Sequence, residues 1–174
     1  MSRARTTKKS APQKSAAPTI IDITVASRAW TRSLRGAKAV CRRAASAALG
    51  KPGKPVELSI LLTSDRASRK LNALYRGKDK PTNVLSFPAG DPLMLGDIAV
   101  AYGVTAREAK TERKTLTAHL SHLVVHGVLH LLGYDHENEK DAVAMERRER
   151  KILADLGIAD PYAPAASAAA RRRR

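Results

Sequence analysis

Between residues 19 and 157 the order of apolar and polar residues changes rhythm several times, and each rhythm implies an element. TIIDITV (19–25) and VELSILLT (56–63) are short stretches rich in branched apolar residues and predict two strands. VLSF (84–87) and GDIAVAY (96–102) predict two more, joined by a loop that holds Pro88, Gly90 and Pro92. Residues 27–49 follow the helical period instead. On a helical wheel Trp30, Leu34, Ala37, Cys41, Ala44 and Ala48 fall on one side and Arg28, Arg32, Arg35, Lys38 and Arg42 on the other, which predicts one amphipathic helix. LGKPGKP (49–55) is a turn. SDRASRKLNALY (64–75) opens with a Ser or Asp N-cap and predicts a helix, and RGKDKPTN (76–83) is a polar connection.

Three further helical stretches follow. One starts near Thr105. A second runs from about Thr115 to Leu132 and stops at Gly133, and the last spans 138–156 and stops at Gly157. The pattern predicts a mixed α/β (α+β) fold: a single domain with a small mixed sheet of about four strands packed with about five helices.

Both ends lack this patterning. Residues 1–18 hold five basic residues and no acid among Ser, Ala and Pro, which predicts a disordered basic extension. Their acid-free, Arg- and Ser-containing composition shares features with an organelle transit peptide, but a plain extension is the preferred reading, and the apolar stretch of a secretory signal is missing. Residues 161–174, ending in RRRR, form a matching flexible basic tail, which leaves 19–160 as the folded domain. Aromatic residues make up only 3% of the chain, so the core must be built from Leu, Val, Ile and Ala. A single cysteine, Cys41, excludes an internal disulfide and suits a reducing, cytoplasmic compartment. No run of apolar residues is long enough to predict a membrane span. The net charge of +16 favours a polyanionic partner such as RNA, and the absence of acids between Asp22 and Glu57 makes the basic face of the 27–49 helix a candidate RNA contact.

All five histidines lie between residues 119 and 136. His119, His122, His126 and His130 follow one another at spacings of 3, 4 and 4, along one stripe of a single helix. His126 and His130 are one turn apart, and the stop at Gly133 allows the turn through Tyr134 and Asp135 to bring His136 back to the same point. Three imidazoles there can bind one face of a divalent ion and leave the other open. Zinc is the natural choice, with nickel, iron(II) and copper as alternatives. His119 and His122 are either core residues or groups that line the site.

HGVLHLLGYDH (126–136) has histidines at offsets 0, 4 and 10 and a glycine at offset 7, the spacing of the metzincin proteases. The second position, where such a protease carries its glutamate base, holds Gly127. The metal geometry is therefore present without the peptidase base. A bound zinc can still activate water and polarise a phosphoryl oxygen, which in a basic protein points toward a phosphodiester.

The same eleven residues resemble the signature of the YbeY family, bacterial zinc-dependent endoribonucleases of ribosomal RNA maturation. LNALYRGKDKPTNVLSFP (71–88) and LGDIAV (95–100) agree with that family in order and spacing, and the resemblance extends over roughly residues 55–157. It implies that His126, His130 and His136 are metal ligands, and that Arg76 takes part in RNA cleavage. A guanidinium can grip phosphate oxygens in bidentate fashion. It also implies ribosomal RNA, in single-stranded regions, and ribosomal particles as partners. The family often has a cysteine just after the GDI strand, where this chain reads AVAY. His122, Asp135 or solvent could relay the proton. A non-catalytic metal-binding ribosome assembly factor and a zinc metallopeptidase are the alternative readings.

Overall fold

In β1 (Thr19–Val25) and β2 (Val56–Thr63) alternate side chains are buried up to Leu62, and these are the branched apolar residues Ile21, Ile23, Val56, Leu58, Ile60 and Leu62, with buried Thr63 closing β2. One face of each strand is therefore committed to a core. The structure, a computed structural model, describes residues 18–91, 93–136 and 138–163. Two further strands, β3 (Val84–Pro88) and β4 (Met94–Ala101), complete one sheet in the order β1-β2-β4-β3. β1, β2 and β4 run parallel, and β3 pairs antiparallel with β4 at the edge.

The helices are α1 (Arg28–Ser33), α2 (Ala37–Leu49), α3 (Asp65–Arg76), α4 (Tyr102–Thr111), α5 (Leu116–Leu131) and α6 (Glu139–Asp155). The mixed α/β single-domain architecture matches the sequence pattern, with one more helix than expected. The predicted helix over 27–49 is broken: Leu34 leaves helical geometry and Gly36 takes φ +79, so α1 and α2 are separate rods. Both halves keep the expected apolar side. Trp30, Ala37, Cys41, Ala44 and Ala48 are all buried, and the Trp30 indole donates to the Thr63 carbonyl at 3.1 Å, which ties α1 to the end of β2. Burial pushes the Cys41 thiol up to about 12, as suits a core residue without reactivity. α4 starts at Tyr102, directly from the end of β4 and earlier than the pattern suggested. The Asp65 carboxylate accepts from the Val104 amide at 3.0 Å and supplies the cap that its own N-cap residue, Ala101, cannot.

α5 lies at the centre. It packs against α2, α4 and α6 as well as β3 and β4, and Leu120, Leu123, Val124, Val125, Val128, Leu129 and Leu131 are buried around its circumference. A helix enclosed in this way is apolar on nearly every side. Thr115 caps its start, the hydroxyl accepting from the Ala118 amide at 3.1 Å, and Gly133 at φ +89 ends it. The opposite face of the sheet carries Asp22, Ser59 and Asp97 in one cross-strand row, beside Leu71 and Tyr75 of α3. Most of residues 1–18 and 161–174 lies outside the described residues. Pro161 and Tyr162, at the start of the expected tail, are bonded to the domain: the Pro161 carbonyl accepts from Lys114 Nζ at 2.8 Å, and the Tyr162 hydroxyl reaches Glu149. Among the described residues, no helix is long and apolar enough to cross a membrane.

Candidate metal centre

His126 and His130 project from the last two turns of α5, and the reversal at Gly133 returns His136 toward them. One ring nitrogen from each of the three lies within 4.8 Å of the others. The Nε2 atoms of His126 and His130 are 3.1 Å apart, close to the ~3.3 Å expected for two imidazole nitrogens bonded to one tetrahedral zinc. The ring of His136 stacks at 24° to that of His126 with centroids 5.8 Å apart, and stands edge-on to His130 at 4.9 Å. His126 and His130 are half-buried and His136 is exposed, so the cluster has an enclosed side and an open one. The donor set and its spacing fit a single divalent cation. Burial first, and then the neighbouring His126 and His136 rings, lower the pKa of His130 and favour the neutral imidazole that a metal requires.

Behind the cluster lies a buried carboxylate. Glu149 of α6 has no exposed surface. Its Oε1 accepts from His126 Nδ1 at 2.7 Å, and its Oε2 accepts from His122 Nε2 at 3.0 Å and from the Tyr162 hydroxyl. Burial alone would raise its pKa, but the hydrogen bonds from His122, His126 and Tyr162 together outweigh it and hold the carboxyl well below the usual carboxylate range. The Tyr162 phenol is pushed up by burial and by the same carboxylate. His119, itself buried, forms a separate pair with the half-buried Glu108, its Nε2 2.8 Å from Glu108 Oε2, and Glu108 also accepts from the Asn83 amide. His119 and His122 are therefore outside the three-nitrogen cluster. His122 is linked to it through Glu149, while His119 lines the neighbouring cavity of about 460 Å³ with His122, Glu108, Lys114 and Tyr162. Asp135 shapes the turn, its Oδ1 accepting from the His136 amide at 2.7 Å.

Gly127 owes its place to packing. A Cβ there would meet Ile98 Cδ1 at 3.0 Å and Ser86 Oγ at 3.1 Å. Position 127 thus faces β3 and β4, where a glutamate would enter the core. Arg76 is the last residue of α3. It is exposed and forms no hydrogen bond or ion pair among the described residues, and it is not gathered into the histidine cluster. The loop after it is held by Arg69, whose guanidinium grips Asp79 through two bonds of 2.6 Å.

A mixed α/β domain with an open three-histidine cluster at the end of its central helix defines the class: a protein with a group of side chains that could hold a metal ion. The family model described as Endoribonuclease YbeY matches residues 24–157. A Nitrobacter winogradskyi protein named Endoribonuclease YbeY is 53% identical over 164 residues, covering 87% of this chain and 85% of its own. A Paramagnetospirillum magneticum protein of the same name is 50% identical over 147 residues, covering 77% and 90%. The solution structure of a Thermotoga maritima protein shares the fold, with a TM-score of 0.51 and 24% identity over 83% of this chain and all of that one. The chain belongs to the YbeY endoribonuclease family.

Proposed function

We propose that this protein is a zinc-dependent endoribonuclease that cuts single-stranded regions of ribosomal RNA during maturation and quality control of ribosomal particles in the cytoplasm. The observation that carries this reading is the convergence of His126, His130 and His136 on one point with an open side, in a chain of net charge +16. These three residues would hold the ion. When bound, zinc lowers the pKa of water toward neutrality and polarises a phosphoryl oxygen. The chain supplies the rest. Arg76, free of partners among the described residues, binds the scissile phosphate and offsets the charge that develops on it. Arg28, Arg32 and Arg35, all exposed, draw the strand in by salt-sensitive attraction. The position of Gly127 against the sheet counts against a peptidase, since no base can stand there without entering the core.

The test is cleavage of single-stranded RNA by zinc-loaded protein beside its His130→Ala and Arg76→Ala variants. Cleavage by the unaltered protein alone supports the reading. Equal cleavage by all three assigns the activity to a contaminant, and binding of ribosomal particles without any cleavage turns the protein into an assembly factor.

A further inference from the structure

We propose that Glu149 is the positioning residue of the metal centre, and that Tyr162 holds it in place. The inference rests on the metal-binding reading of His126, His130 and His136.

A carboxylate with no exposed surface is costly unless its oxygens are paired. Glu149 sits on the apolar stripe of α6, in line with Met145, Ile152 and Leu153, where an apolar residue would pack at no such cost. Its hydrogen-bond partners are two imidazoles and a phenol, with no Lys or Arg among them. An ionised carboxylate only accepts hydrogen bonds, so the Nδ1 of His126 must carry the proton. The lone pair is then left on Nε2, the nitrogen that faces His130 Nε2 at 3.1 Å. Glu149 therefore selects the nitrogen that the first ligand offers and fixes the rotation of its ring. The bond to His122 uses the second oxygen and keeps the carboxylate from turning.

Tyr162 completes the arrangement from outside α6. Its hydroxyl donates to the oxygen that His122 also uses. The segment that carries it is anchored independently: Lys114 Nζ donates to the Pro161 carbonyl, Arg150 pairs with Asp160 at 3.4 Å, and the Arg150 guanidinium lies 4.8 Å from the Tyr162 ring centroid. The stretch 160–162 is a clasp that closes over the back of the site and acts on the ligand His126 only through Glu149.

The experiment uses the full-length, metal-stripped protein and its E149Q and Y162F variants. Zinc affinity is measured by competition with a chromophoric chelator, the visible absorption of the cobalt(II) form is recorded, and the melting midpoint is taken without metal. E149Q should bind zinc about 10–100-fold more weakly, with cobalt bands changed in position or intensity. Y162F should weaken zinc binding in the same direction by a smaller, few-fold factor. If Glu149 only docked α6 on α5, both variants would melt earlier yet bind zinc and colour cobalt as the unaltered protein does, and that result overturns the proposal. Should E149Q not fold, unchanged zinc affinity in Y162F overturns it alone. Failure of the unaltered protein to bind zinc defeats the metal reading itself, whereas normal binding with unaffected variants removes only the role of Glu149.

Discussion

The Ser86 hydroxyl donates to the carbonyl of Gly127 at 3.3 Å, fastening edge strand β3 to helix α5 one residue beyond His126. The helix can come this close because position 127 has no side chain. Gly127→Val should therefore cost about 1–3 kcal/mol through overpacking against Ile98, seen as a lower melting midpoint. Gly127→Glu should unfold the protein more readily still and confer no peptidase activity. A stable Gly127→Glu variant that hydrolyses protein would contradict this account of the glycine.

Arg76 should serve the substrate and not the fold. Its side chain is exposed and without partners among the described residues, so Arg76→Ala and Arg76→Lys should melt within about 0.5 kcal/mol of the unaltered protein. Both should nevertheless cut RNA far more slowly. The lysine variant keeps the charge but lacks the planar fork that matches two phosphate oxygens, and should recover only part of the rate. Full activity in Arg76→Lys would reduce the role of the residue to charge alone.

The arginines of α1, α2 and the turn between them separate into two kinds. All five are exposed, but Arg28, Arg32 and Arg35 make no side-chain hydrogen bond among the described residues, whereas Arg42 Nη1 donates to the Ile21 carbonyl at 2.9 Å and Arg43 Nη2 to the Leu156 carbonyl at 2.8 Å. Reversing the first three to Glu should weaken RNA binding and flatten its salt dependence, by about 0.7 in log–log slope for each phosphate that is no longer neutralised. Arg42→Glu should instead lower the melting midpoint. RNA titrations at several salt concentrations, with thermal melts alongside, distinguish the two groups.

Acid should destabilise the metal-free protein in two stages. His130 has a lowered pKa in the fold, so near pH 6.5 the unfolded chain binds its proton more readily, and stability falls as pH drops through that value. Glu149 is also held below its ordinary range. Its contribution is complete above the unfolded value of about 4.3 and is lost as pH falls from there toward its folded value. Melting of chelator-treated protein from pH 8 to pH 3 should show the midpoint falling throughout, and His130→Gln should diminish the upper stage. A midpoint that rises on acidification would reverse the sign argued here.

The convergence of His126, His130 and His136 was legible because a helix converts spacing into proximity: residues four apart share a face, and a glycine stop announces the reversal that returns His136. The four strands were legible because short apolar stretches stand between turn signals, and alternation of period two survives in β1 and most of β2 but not in the continuously buried end of β4. Glu149 was missed because it lies 23 residues beyond His126, within MERRERK, where its charged neighbours are mostly exposed. A signal did exist: a glutamate in phase with Met145, Ile152 and Leu153 stands on the apolar stripe of α6. The clasp at Tyr162 was hidden for want of any pattern, because a single residue after a helix has no period. The break at Gly36 was hidden because the apolar stripe keeps its phase across it, and a lone glycine within a helical pattern is often tolerated.

Two of the three converging rings ride on a helix enclosed by protein, while His136 comes from an exposed turn. The histidines on α5 are aimed by the helix itself, so an ion held by the cluster would be gripped on one side by the packed core and on the other by a single surface turn. Ion exchange at such a cluster should then follow the tempo of residues 132–136 and leave the central rod undisturbed.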